Sequence, residues 1–394
     1  MGPDGLSLAP GRPGYGRACV ALLLVGISTL GLMYAPQPLL PVIGDEYGLS
    51  AAHVSWMISS VALGVAVGVI PLGAASARWG RGRMIITGMA VAAAAGILLG
   101  LVTPWWALVA ARFVQGVGIA AVLVSAMAWV VDNVVPHAVT RVGALYIAGT
   151  TVGGMGGRLL AGFLTEALGD WHRGLLASAL LLAIMGGVAH LLMPKAGVRR
   201  RAAASVRAED AHAWTRRAMY LLAFVGMIVH AGIYNAAAFQ GAAVFGLGPG
   251  AIAVLFLAYV AGTISSTVAG RAASRIPLRV IQVGGIGLSA VGIAISLIPH
   301  LWALILGLLL LSGGFFAMHA LANSTAARLS PQPSAGAARY NLAYYIGTSA
   351  GAIAFGGLWD AGGWPVTIAV ALGLLAITAA TAWALGPRGR SGDV

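Results

Sequence analysis

Polar and charged residues occur in this chain as short clusters, and long apolar stretches run between them. Twelve stretches are long enough to cross a bilayer, which takes roughly 20 residues of helix. They are predicted at 18–41, 52–76, 83–102, 105–131, 141–166, 172–193, 217–245, 250–273, 279–298, 301–327, 336–359 and 364–385. Within a stretch most faces are apolar, so the 3.6-residue alternation of a soluble helix is missing. Glycine, proline and charge mark the ends instead. The connections at Thr103-Pro104, Gly246 to Gly250 and Pro299-His300 are so short that they force helical hairpins. The pattern predicts an all-α membrane protein, because a helix satisfies its own backbone groups where no water can.

Composition supports the same class. Of 394 residues, 59% are hydrophobic and 8% charged, with a mean hydropathy of +0.91. A soluble domain carries about a quarter charged residues. The net charge of +13 raises the question of nucleic acid, but the basic residues sit between apolar runs and form no soluble face. With the N-terminus inside, Arg112 and Arg158 fall within spans and Arg173 in an outer loop. The other 20 of the 23 Lys and Arg then lie on the cytoplasmic side. That is the positive-inside bias, and it predicts both termini cytoplasmic. Cys19 is the only cysteine, which excludes an intrachain disulfide or a cysteine-based metal cluster. Met1 to Gly16 is rich in Gly and Pro and shows no cleavage signal before the first apolar run, so that run is read as a retained span.

The longest polar stretch lies near the middle. It divides the chain into a tail at 1–17, a six-helix bundle at 18–193, a cytoplasmic linker at 194–217, a second six-helix bundle at 218–386 and a tail at 387–394. The halves echo each other: Gly73 to Arg78 follows the second span and Gly270 to Arg275 the eighth. Gly149 and Gly153 in the fifth span have counterparts in Gly347 and Gly351 in the eleventh. A parallel repeat of this kind places a solute site between the halves, near the midplane.

These strings resemble the major facilitator superfamily. Gly73-Ala74-Ala75-Ser76-Ala77-Arg78-Trp79-Gly80-Arg81-Gly82-Arg83 is similar to its G-x-x-x-D-R-x-G-R-[KR] gating loop, and Arg112-Phe113-Val114-Gln115-Gly116-Val117-Gly118 to its R-x-x-Q-G-x-G. Gly149 to Arg158 resembles the glycine-rich antiporter motif without its proline. Gln37 to Pro41, Gly157 to Leu160 and Gly314 to His319 resemble the YnfM-type bacterial permeases, a group filed with drug and sugar efflux proteins. The resemblance implies two pseudo-symmetric six-helix halves, alternating access and an ion gradient, most often of protons. One departure stands out: Ala77 replaces the acid of the gating loop. In the family that acid latches the halves, so here the latch falls to other groups, with Asp132 expected to meet Arg78 or Arg141.

A charge at bilayer depth is costly, which makes intramembrane ionisable residues functional candidates. Arg112 and Arg158 are the clear basic ones, and no Asp or Glu lies deep in a span. Arginine keeps its proton, so coupling candidates are His230 and His319, whose imidazoles titrate near neutrality. The bland alternative is a neutral histidine bonded between helices. For Arg112 and Arg158 two readings stand: an electropositive cavity favouring an anionic or electron-rich solute, or local pairing, Arg158 with Glu166. Tyr34, Gln37, Gln115, Tyr234, Asn235, Gln240, Asn323, Asn341, Tyr344 and Tyr345 add a polar and aromatic lining. Gly73, Arg78, Gly80, Arg81, Arg83, Asp132 and Arg141 form the gating loop.

The reading is a secondary transporter of a small organic solute in a bacterial inner membrane, acting as a monomer by proton-coupled efflux. Uptake and a non-transporting receptor or scaffold are the alternatives. An enzyme is disfavoured, since no H-E-x-x-H or paired carboxylate occurs at depth. Neither a nucleotide motif nor a cofactor or metal set is present in the sequence.

Overall fold

The computed structural model describes residues 8–194, 212–387 and 389. The central linker expected at 194–217 therefore falls largely outside the described residues, as do the outermost parts of both tails. The described chain is helical, with no strand beyond a single bridge between Leu8 and Val134.

Helices α1 (Tyr15–Tyr34) and α2 (Leu40–Tyr47) are joined by a 3-10 turn, Gln37–Leu39. Helices α3 (Ala51–Val54), α4 (Trp56–Trp79), α5 (Arg81–Leu99), α6 (Trp105–Asn133), α7 (Pro136–Leu168) and α8 (Trp171–Leu192) follow. After the linker come α9 (Ala213–Phe245), α10 (Pro249–Leu255), α11 (Tyr259–Ala272), α12 (Leu278–Ile295), α13 (Leu301–Arg328) and α14 (Pro333–Leu385). Among the described residues ten helical runs are long and apolar enough to span a membrane. Two differences account for the twelve expected. The run ending at Leu385 is two helices joined at Gly362 and Gly363, whose backbone is non-helical. Helix α7 has 33 residues, ample for a span, but its glycines and Arg141 and Arg158 dilute its hydropathy.

The predicted ends hold to within a few residues, and the interiors differ in one instructive place. The first span was expected as one helix over 18–41. It runs instead over Tyr15–Tyr47 and breaks at 35–39. The cause is local: Pro36 and Pro38 lack the N–H that a continuing helix would need.

Packing divides the chain into two compact units, residues 1–39 with 63–203 and residues 40–62 with 204–394. In the first unit, α7 lies against α1 with backbones almost touching. A Cβ added at Gly149, Gly153 or Gly157 would collide with the carbonyl oxygen of Leu23, Ile27 or Gly31. In the second unit, Gly347 and Gly351 of α14 meet the carbonyls of Phe224 and Ile228 of α9 in the same way. Small residues four apart allow such approach, and in lipid this close packing replaces the hydrophobic drive between helices. The arginine-rich ends are also tied down. Within the first unit Leu8 exchanges backbone hydrogen bonds with Asn133 (2.8 Å) and Val135 (3.1 Å). Within the second, Leu278 and Arg279 donate to Gly389 and Pro387.

Candidate functional site

In the first unit the break in the first span is where charge collects. The last carbonyls of a helix lack intrahelical donors, and Arg112 of α6, fully buried, supplies them. Its Nη2 donates to Met33 O at 2.6 Å, its Nη1 to Leu32 O at 3.3 Å, and Nη1 also donates to Gln115 Oε1. Gln115, one turn on, donates in turn to Ala92 O of α5 at 3.1 Å. Arg112 and Gln115 thus splice α1, α5 and α6 together.

Arg158 reaches the same break from α7, and it is 2% exposed. Its Nε and Nη2 donate to Gln37 Oε1 at 2.9 and 2.7 Å, its Nη1 to Gly154 O at 2.6 Å, and the guanidinium lies 4.1 Å from the centre of the Tyr34 ring. One of the two readings of Arg158 turns it toward Glu166, whereas these contacts lie on the other side of its own helical turn. The side chain points back toward Gly154, as helical side chains lean, while Glu166 is exposed. Gln37 can reach Arg158 because the 3-10 turn carries it off the helical path.

The second unit holds an aromatic chain. His230, 1% exposed, stacks on Phe315 at 4.3 Å and is edged by Tyr259, Phe316 and Tyr234. Tyr234 shares a 2.6 Å hydrogen bond with Ser312. One helical turn beyond Phe315, His319 is half-buried, with its Nδ1 at 2.9 Å from Tyr340 Oη. Tyr340 Oη also donates to His319 O at 3.2 Å. A tyrosine hydroxyl has one proton, so the carbonyl and Nδ1 compete for it, and the Nδ1 contact takes either direction according to the imidazole tautomer. Tyr344 packs on the same imidazole and on Tyr345.

The remaining expected lining residues scatter. Asn235 is buried, donates to Ser55 Oγ at 2.8 Å and leaves its Oδ1 without a hydrogen bond. Gln240 is buried, Asn323 is half-buried with an unbonded Oδ1, and Asn341 is exposed. In the gating loop Gly80 takes a φ of 99°, which favours glycine and ends α4 cleanly. The loop's carboxylate partner differs from expectation: Asp132 meets Arg81 Nε at 3.5 Å, and Arg78 and Arg141 are exposed. The reason is register, since Arg81 opens α5 beside the end of α6. Arg78, Trp79, Arg83, Met84 and Thr87 line a groove of about 430 Å³. Gly73 has open space beside it. The sequence reading passed over Tyr340, although it precedes Tyr344 by one turn on the same face. Ser55, Ser59 and Ser349 carry no local signal, and Asp360 reads from sequence only as a carboxylate at an outer span end or loop.

Three sets of likenesses bear on this geometry. The family model of the Major Facilitator Superfamily matches residues 22–338. The inner membrane transport protein YnfM of Escherichia coli (strain K12) is 27% identical over 368 residues, covering 90% of this chain and 87% of that one. The cephamycin export protein CmcT of Amycolatopsis lactamdurans is 32% identical over 195 residues, 48% of this chain and 38% of that one. In fold, the chain matches a bacterial homologue of the human lysosomal transporter Spinster, solved inward-facing and unoccupied. The TM-score is 0.77 at 17% identity, and the match covers 95% of this chain and 98% of that one.

Proposed function

The chain belongs to the major facilitator superfamily of multi-pass membrane transporters, and we propose that it exports a small organic solute in exchange for protons by alternating access. The observation that carries this reading is the pair of buried guanidiniums at the broken first span. A discontinuous helix at membrane depth is where transporters of this construction hold solute. Arg158, with Gln37 and Tyr34, offers a planar cation and an aromatic face, which suit a carboxylate or another electron-rich group. Arg112 organises the break and Arg158 meets the solute.

His319 is the proton carrier. It is partly accessible, and its Nδ1 is held by the Tyr340 hydroxyl, which can give or accept a hydrogen bond as the imidazole changes protonation state. His230, enclosed by rings, lines the aromatic path. The repeated glycine contacts of α7 on α1 and of α14 on α9 support two six-helix halves, 18–193 and 218–386. Efflux is favoured over uptake because one partial relative is named an export protein. The protein works as a monomer in a bacterial inner membrane.

The test is reconstitution. A ligand screen by melting temperature first finds a compound that binds the folded form. Its movement in proteoliposomes should then follow an imposed proton gradient in the wild type. His319→Gln should keep binding and lose gradient-driven accumulation. Accumulation retained in His319→Gln would remove the histidine from the cycle.

A further inference from the structure

Helix α3 begins behind Ser50, and the first N–H groups of a helix have no acceptor within it. Here the main-chain N–H groups of Ala51 and Ala52 each donate at 2.9 Å to a different oxygen of Asp360, some 300 residues away in sequence. Asp360 stands at the end of the first helical segment of α14, just before the non-helical Gly362 and Gly363. The contact heads a row of others inside the second unit. Gly356 is held so close that an added Cβ would lie 2.6 Å from Ala51 O. Ser55 Oγ donates to that same carbonyl at 2.6 Å and accepts from Asn235 of α9 at 2.8 Å. One turn deeper, Ser59 and Ser349 share a 2.6 Å hydrogen bond.

The row has a gradient of character. Ser55, Ser59 and Asn235 are buried to within 1% of completely, whereas Asp360 is exposed and is the one charge in the row. The buried members are small and neutral, and they could trade their hydrogen bonds for water at little net cost. The carboxylate adds a charge-assisted, two-oxygen contact that also complements the positive end of a helix. An exposed ion of this kind holds weakly enough to let go. Residues 51–59 lead into α4, which ends at Trp79, so this row stands at the end of that helix opposite Arg78 and the loop after it.

We propose that Asp360 is a latch, a positioning residue that holds residues 51–59 against α9 and α14 and keeps this face of the transporter shut until it lets go. The proposal rests on the alternating-access reading, and its test needs no solute. With Cys19→Ser as background, Ser59→Cys places a thiol under the latch and Ser178→Cys places one in α8, buried in the first unit. A membrane-impermeant maleimide is applied from each side of oriented vesicles. Asp360→Ala should raise labelling at residue 59 about tenfold, the size of one lost charge-assisted contact near the surface. The rise should come only from the side opposite Arg78, and residue 178 should be unchanged. Asp360→Asn, which keeps one acceptor oxygen, should fall between. Equal labelling at residue 59 in all three would overturn the latch while leaving gradient-driven solute movement by the wild type as an independent question. A rise at both residues 59 and 178 would report general loosening and would overturn it as well.

Discussion

Arg112 and Arg158 carry the same guanidinium, yet their surroundings assign them different work. Arg112 holds two main-chain carbonyls that the break in the first span leaves without intrahelical donors. Lysine offers one point charge where a fork is needed. Arg112→Lys is therefore expected to cost about 1–3 kcal/mol of stability, read as a lower melting temperature, with solute affinity unchanged in the protein that stays folded. Arg158 meets a side-chain amide and an aromatic face, both of which can be shared with a solute. Arg158→Lys is expected to weaken binding by roughly ten- to hundredfold, equivalent to about 1.5–3 kcal/mol, with the melting temperature little changed. Unchanged affinity in Arg158→Lys would end its role as a solute contact, and a solute that proves cationic would end the electropositive reading. The two arginines and the two histidines were legible as candidates because charge at depth is costly in any fold. Their partners were not. Which carbonyl or amide each group meets depends on the register of α1 against α6 and α7, a long-range property that no local spacing encodes.

Helices carry a second kind of information, in which faces tolerate approach. Gly153 and Gly351 press on the carbonyls of Ile27 and Ile228, whereas Gly156, on the same turn as Gly153, faces open space. Gly153→Ala or Gly351→Ala must push two helices apart, and overpacking of this sort costs about 1–3 kcal/mol. Gly156→Ala should be neutral or stabilising, by up to about 1 kcal/mol of helix propensity. Thermal unfolding of the three variants checks this, and equal effects at Gly153 and Gly156 would mean that the close approach is unimportant. At this scale the sequence was highly readable. Span ends follow from where glycine, proline and charge interrupt apolar runs, and these interruptions are local. The break at 35–39 was readable as well, because Pro36 and Pro38 announce it; apolar continuity masked it. The bonding of Asp360 to the start of α3 was not readable, since it joins two helix ends far apart in the chain.

For the whole molecule the decisive variable is which way it crosses the membrane. With the N-terminus inside, the spans read from the sequence would put 20 of its 23 basic residues on one side, and bias of that size sets orientation. Each described chain end is bonded within its own unit. Leu8 is bonded to the connection between α6 and α7, and Pro387 and Gly389 are bonded to the start of α12. Anionic lipids of the inner leaflet attract such a surface by about 1 kcal/mol per basic residue, and several arginines there would make inversion costly. Trp79, Trp214 and Trp383 are exposed, and Arg217 and Arg279 stack on the last two, a pairing suited to the headgroup layer. The expected arrangement has both termini cytoplasmic. In the Cys19→Ser background, a cysteine at Ser274, exposed just before α12, should resist an impermeant maleimide added to intact cells and react once the membrane is opened. A cysteine at His300, exposed in the hairpin before α13, should react in intact cells. The reverse pattern would place the arginines outside and contradict the charge argument. Labelling of both residues in intact cells would mean that α12 does not span the membrane at all.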